Sequence, residues 1–489
     1  VLRQVHDHSS IVAWAGQPST SPVCHMTKTL QGECDFCHVP YTGEVTKDAA
    51  DRAPVKIIGA SAGEISDSVR NLVSTGRLQP GDSVPPIRDL ALELGVHRNT
   101  VAAAYRMLVA AGVAETHGRR GTVITSLPHL EGEMAVNTEL VDLSSGNPDP
   151  ALLPNIGSAL SQIDYQMQMY GSPVVDPRLH QWARNTLAPE LDCPFEISVT
   201  HGAVDAVERL LTAHLTRGDL VAMEDPCFYA SEGTVRLNGF RAASVSVDAA
   251  GMEPKALRVA LAAGARAVIV TPRAHNPTGV SVTAERSQEI RSVLQRYPHV
   301  LVIEDDHFSA ISRNCYNRVT PSTTQRWALV RSVAKFLGPD LRVAVVASDG
   351  GTADRLGSRL RPGATWVSHL LQQLAANLLE SDAVARQLDH ARHAYAERVD
   401  ALREALTEAG IDTPFPTDGF NVWVPEPDGC AAMVTALREA GWSVRDGSPF
   451  RTPTSKTPHG IRITASRLTR PQAREFAQCL AGLRQSITS

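Results

Sequence analysis

Residues 331–348 read RSVAKFLGPDLRVAVVAS. Within them the run LRVAVVA is apolar without a helical period, so it reads as a buried strand. Lys335 leads into that run. An ammonium beside apolar surroundings is costly unless it is paired. Two solutions exist. The side chain can snorkel to water, or the amine can be consumed covalently as a Schiff base, one of the few uses that reward a desolvated lysine.

Outward from this stretch, segments of the same kind recur. DLVAMED, ARAVIVTP and HVLVIEDD are short buried strands separated by helical patterns. That alternation predicts an α/β domain with a mostly parallel sheet over residues 141–489. Its strand ends carry the groups with chemistry. In VTHGAVDAVERLL a strand turns into a helix at Gly202, Ala203 and Val204, where free amides suit a phosphate. MEDPCFYA places Phe228 at a strand's carboxyl edge, able to stack on a flat ring or to pack in the core. TPRAHNPTG offers Asn276 as a hydrogen-bonding group on a turn fixed by Pro277 and Gly279. VLVIEDDHF ends on Asp305 and His307. A carboxylate there can pair with a protonated pyridine nitrogen, and paired acids at a strand end can also hold Mg²⁺. Ser332 and Arg342 flank Lys335, the latter able to clamp a phosphate.

Upstream the pattern changes. Residues 56–125 predict a separate small domain of short amphipathic helices. Ile65, Val69, Leu72 and Val73 share one face, as do Ile87, Leu90, Ala91 and Leu94, and then Val101, Tyr105, Leu108 and Val109. Gly95 breaks the second helix, giving helix, short turn, helix. Arg98, Asn99 and Thr100 open the third helix with groups that touch phosphates and base edges in a major groove. ETHGRRGTVI predicts a two-stranded wing, with Arg119 and Arg120 at its tip and Gly121 in its turn. This domain carries eight Lys and Arg against six Asp and Glu, a small excess placed where the fold would meet DNA. Residues 126–140 read as a linker, and residues 1–55, poor in periodicity, as a largely disordered extension.

At 489 residues the chain needs two or three domains. Its net charge of -5 excludes an all-round nucleic-acid-binding coat and leaves room for one basic face. No apolar stretch is long enough to span a bilayer and no secretory segment is visible, which predicts a cytoplasmic protein with no membrane contact. Five of the eight cysteines are scattered without a pairing rhythm, as in reduced thiols. The early Cys34-Asp35-Phe36-Cys37-His38 lacks a second ligand pair at a recognisable spacing, so no metal site is expected.

Two resemblances sharpen this reading. PPIRDLALELGVHRNTVAAAYRMLVAAGVAETHGRRGTVI is similar to the winged helix-turn-helix of GntR-type bacterial regulators, with Pro86 where a serine is usual. It implies that Arg88, Arg98, Thr100 and the wing around Gly121 face a double-stranded operator. The motifs of the large domain, taken in order, resemble a fold-type I aminotransferase. That resemblance implies pyridoxal 5′-phosphate as cofactor, held as a Schiff base by Lys335. It assigns the phosphate to the Gly202 turn and Arg342, and the ring to Phe228, Asn276 and Asp305. GIRIT resembles the segment whose arginine grips a ligand carboxylate, making Arg462 the candidate, and Tyr170-Gly171 resembles the region that reaches a partner subunit's phosphate. Two residues depart from the pattern: His307 replaces a tyrosine and Ala334 a serine.

A winged module followed by such a domain resembles the MocR/GabR-type regulators, from about residue 60 to the end. It implies a head-to-tail homodimer. EDPCF, PRAHNPTG and EDDHF together are similar to a member of that family linked to vitamin B6 metabolism. The expectation is a regulator of B6 salvage genes, such as that of pyridoxal kinase, responding to the cofactor itself. Two alternatives stay open: an active aminotransferase carrying a DNA-binding domain, or a regulator that senses an amino acid joined to the cofactor through Arg462.

Overall fold

The computed structural model describes residues 55–116, 121–125, 139–426, 430–455 and 457–488. The small domain is built from α1 (Ala62–Ser74), α2 (Ile87–Leu94), α3 (Arg98–Ala110), β1 (Ala114–Thr116) and β2 (Thr122–Ile124). A capping box starts α1: the Glu64 amide donates to Ser61 Oγ at 3.3 Å, and the Glu64 carboxylate accepts from the Ser61 amide. Gly95 ends α2 in the left-handed conformation, which only glycine adopts freely. Its core comprises Ile65, Val69, Leu90, Val101, Ala104, Tyr105 and Leu108. Val109, expected to face inward, is 40 % exposed. The buried stripe of α3 is Val101, Ala104, Tyr105 and Leu108, and Val109, about 100° round the helix from Leu108, falls beside it. The strands β1 and β2 pair antiparallel, as a wing requires. Arg119 and Arg120 lie outside the described residues, as do Cys34, Cys37, His38 and the rest of the first 54.

The large domain opens with β3 (Val141–Leu143) and then forms an eight-stranded sheet from β4 (Glu196–Thr200), β5 (Leu220–Asp225), β6 (Arg241–Asp248), β7 (Gly251–Met252), β8 (Ala265–Val270), β9 (Leu301–Asp305), β10 (Arg326–Ser332) and β11 (Ala344–Ser348). Their order across the sheet is β4-β11-β10-β9-β8-β5-β6-β7. The middle strands run parallel, while β11 is antiparallel to both β10 and β4.

Period-two alternation splits each strand between two cores. Ala267 and Ile269 face the helices Ala203–His214 and Gly350–Leu360, whereas Val268 and Val270 face the other layer, which includes Asp382–Glu408. Each fully buried aliphatic side chain there contributes about 1.5–3 kcal/mol. The sequence predicts a strand from Leu341, but β11 begins at Ala344, because Arg342 takes a left-handed backbone (φ 48°) and closes a short 3-10 turn, Pro339–Leu341.

A second sheet joins β12 (Asn421–Pro425), β13 (Trp442–Asp446) and β14 (Gly460–Thr464) to β3, which pairs parallel with β13. Thus β3 ties the chain just after the linker to the C-terminal sheet. No helix among the described residues is long and apolar enough to cross a membrane.

Candidate functional site

The carboxyl ends of β5, β8, β9 and β10 converge on a cavity of about 300 Å³. Its walls include Ala203, Val204, Phe228, Asn276, Asp305, His307, Ser332, Lys335 and Arg342, so motifs far apart in the sequence meet in one place. The lining also takes in Asn147, Ala334 and Pro339.

At one end is an anion cradle. Gly202 (φ 91°, ψ 172°) precedes the helix Ala203–His214, whose first-turn amides have no acceptors within the helix. Arg342 Nη2 donates to the His201 carbonyl at 3.1 Å. A Cβ on Gly202 would stand 2.9 Å from that same nitrogen. Only glycine lets the guanidinium lie so close to the turn. Ser332, the last residue of β10, also lines the cavity.

At the other end is an acid. Asp305 ends β9, is buried, and its Oδ1 has no hydrogen-bond partner among the described residues. His307 Nδ1 stands 3.4 Å away without forming a hydrogen bond. A buried carboxylate oxygen of this kind calls for a donor, and a protonated ring nitrogen is one. Between acid and cradle, Lys335 Nζ donates to the Gly146 carbonyl at 2.7 Å. Phe228 supplies an aromatic wall and Asn276 an amide. Arg462 is buried outside the cavity lining, donating from Nη1 to Asn276 Oδ1 at 3.3 Å and from Nη2 to the Ser144 carbonyl. Acid, flat wall, amine and anion cradle in that arrangement fit pyridoxal 5′-phosphate. Among the described residues no group of His, Cys, Asp and Glu is arranged to hold a metal ion.

Behind Asp305 lies a pair the sequence reading passed over. Glu224, in β5, and His275, in the turn after β8, are buried with Glu224 Oε2 and His275 Nε2 3.4 Å apart. Burial pushes Glu224 up to about 8, against the Thr271 amide that donates to it and helped by the charge of Asp305. Burial, with the charge of His307, takes His275 down to about 3. Both are neutral at pH 7, which leaves Asp305 beside an uncharged acid rather than a second carboxylate. One residue on, Asp306 is fully buried between Arg273 (Nε to Oδ1, 2.9 Å) and Arg331 (Nε to Oδ2, 2.8 Å). Burial raises its carboxyl, but Arg331 and Arg273 outweigh that and hold it below the usual range. The signals were present, a Glu before Asp-Pro and a His before Asn-Pro, but their partners are not sequence neighbours.

On the small domain, Arg88 in α2 and Arg98 and Asn99 in α3 are exposed, Thr100 is half-buried, and Gly121 is exposed at the start of the second wing strand. The His97 ring accepts from the Asn99 amide and so fixes the entry of α3. Tyr170 lies away from the cofactor cavity, 89 % exposed, with its ring edge-on to Trp366 at 5.5 Å.

Comparison with known proteins agrees with this two-part architecture. A family model for aminotransferase class I and II matches residues 138–480, and one for bacterial regulatory proteins of the gntR family matches residues 61–124. The chain is 48 % identical, over 84 % of its length and 96 % of the relative's, to the vitamin B6 salvage pathway transcriptional repressor PtsJ of Salmonella typhimurium. It is 25 % identical, over 70 % of its length and 78 % of the relative's, to the pyridoxine biosynthesis transcriptional regulator PdxR of Corynebacterium glutamicum. Among solved structures, the kynurenine aminotransferase of Pyrococcus horikoshii superposes with a TM-score of 0.66 at 20 % identity, covering 73 % of this chain and 96 % of that one.

Proposed function

Because the chain belongs to the MocR-type regulators, which join a GntR DNA-binding module to an aminotransferase class I and II domain, we propose that it represses vitamin B6 salvage genes in response to pyridoxal 5′-phosphate. The observation that carries this reading is the convergence of Lys335, Asp305 and the Gly202–Arg342 cradle on one cavity, in a chain that also presents Arg98 and Asn99 at the start of α3. The cofactor supplies an aldehyde that a lysine amine can capture covalently.

The protein's own groups do the rest. Arg342 and the amides after Gly202 bind the phosphate, which decides affinity through charge-assisted hydrogen bonds. Asp305 would accept from the ring nitrogen, and Asn276 and His307 would offer hydrogen bonds to the ring's polar substituents. Arg462 is the candidate for an effector carboxylate, should an amino acid act as a second ligand. Arg88, Arg98, Asn99, Thr100 and Gly121 face the operator, joined by Arg119 and Arg120 of the same sequence motif, positioning the module on phosphates and reading base edges.

The working form is a head-to-tail homodimer in the cytoplasm. Its support is an exposed apolar run, in which Met167 is 79 % exposed and Met169, Tyr170 and Val174 also face outward. Such a patch marks a contact surface. The test is transcription. Deleting the gene should raise pyridoxal kinase transcripts, wild type should restore repression in a B6-dependent manner, and Lys335→Ala should restore it without that dependence. Transcript levels indifferent to the deletion would remove the proposal.

A further inference from the structure

We infer that segment 144–147 is the element that reports ligand capture to the DNA-binding module. This rests on the reading of Lys335 as the cofactor-capturing amine. Two basic side chains assigned to ligands, Lys335 and Arg462, both donate to backbone carbonyls of this one segment, at Gly146 and Ser144 respectively. Asn147, next in the chain, lines the cofactor cavity itself.

The segment has a defined seat. Asp142 Oδ1 accepts from the Ser144 amide at 2.9 Å, the Ser144 hydroxyl at 2.9 Å and the Ser145 amide at 3.1 Å. Ser443 Oγ donates to Ser144 Oγ from the neighbouring strand. Ser144, Ser145 and Gly146 are all buried, so their carbonyls need donors from protein or water. Asp142 itself belongs to β3, the first strand after the linker. Along the chain no other strand or helix stands between β3 and the cavity wall.

Ligand capture acts on those bonds by simple chemistry. When the neutral Lys335 amine condenses with an aldehyde, a carbon–nitrogen double bond forms. The aldehyde oxygen leaves as water with the two amine protons. The nitrogen then has no proton left from the amine for Gly146. A carboxylate offered to Arg462 likewise competes with the neutral Ser144 carbonyl, because charge-assisted pairs are the stronger. Either event loosens the same buried segment, and β3 carries the change toward the linker. An element with two arrangements, biased by ligand, is what coupling between distant sites requires.

The test is hydrogen–deuterium exchange on the full chain with and without saturating pyridoxal 5′-phosphate, with capture followed separately by the mass of the borohydride-reduced adduct. Amides of residues 141–148 should exchange roughly twofold to tenfold faster with the cofactor, the range that loss of an ordinary hydrogen bond permits. Asp142→Ala should speed the same amides without cofactor while capturing it as the wild type does. Asp142→Asn, which keeps the shape with a weaker acceptor, should do so to a smaller extent and serves if the alanine variant does not fold. Capture at Lys335 with exchange in 141–148 unchanged or slower would overturn the inference and leave the cofactor reading intact. Absence of any adduct would overturn both.

Discussion

Substituting Gly202 by alanine should separate the phosphate from the rest of the cofactor. At φ 91° and ψ 172° an L-residue is strained, at a cost of about 1–3 kcal/mol in fold stability. The new Cβ would stand 2.9 Å from Arg342 Nη2 and 3.1 Å from its Cζ. Those atoms are the far end of a flexible side chain, so the guanidinium moves and the backbone stays. Hydrogen bonds to a charged group are each worth about 1.5–3 kcal/mol, so losing this clamp should weaken pyridoxal 5′-phosphate binding roughly tenfold to 150-fold. Pyridoxal, which lacks the phosphate, should bind almost as it does to wild type. The assay is a spectroscopic titration of both aldehydes against wild type, Gly202→Ala and Arg342→Ala at one pH and salt. Equal losses for the two aldehydes, or none for either, would refute the placement of the phosphate at this turn.

Other perturbations address the buried acids and the small domain. Glu224 keeps its proton to about pH 8 when folded and loses it near 4.5 when unfolded, so its contribution to stability falls as pH rises through that window. Glu224→Gln removes this and should gain on the wild type by up to about 1.4 kcal/mol per pH unit, read from urea unfolding at pH 5, 6.5 and 8; parallel curves would show that Glu224 is not a neutral acid. His275 has the opposite sign: its folded value is depressed, so its contribution is present above pH 6.5 and is lost as pH falls toward 3. Asp306→Ala leaves Arg273 and Arg331 without their shared carboxylate, which should cost about 3–5 kcal/mol; a near-neutral urea midpoint would contradict the burial of that cluster. In the winged module, Leu108→Ala should cost about 2–5 kcal/mol, whereas Val109→Ala should stay within about 0.5 kcal/mol, and equal thermal shifts would put the helix face in error.

The cavity was legible because its chemistry sits where a parallel sheet exposes it. Asp305, Asn276 and Phe228 each follow a recognisable apolar strand, and Lys335 raised its own question by standing before one. What escaped notice depends on partners far away. The strand β3 is three residues long and pairs with β13 from the other end of the chain, so no local period announces it, and its residues read as the run-in from a linker. Glu224 and His275 belong to different motifs, and their mutual neutrality follows from burial that neither motif encodes. Val109 sits beside the buried stripe of its helix rather than on it, a difference of one residue in register. Gly146 offers only a carbonyl, and backbone groups carry no signature in a sequence.

The central claim is that cofactor capture at Lys335 changes DNA binding. The most direct test is a titration of the full chain against duplex DNA from upstream of its own gene, at fixed salt, with and without pyridoxal 5′-phosphate. The wild-type curve should shift with the cofactor, and the Lys335→Ala curves should coincide with each other. Specific binding with wild-type curves that coincide, or a Lys335→Ala protein that shifts as far as wild type, would contradict the account.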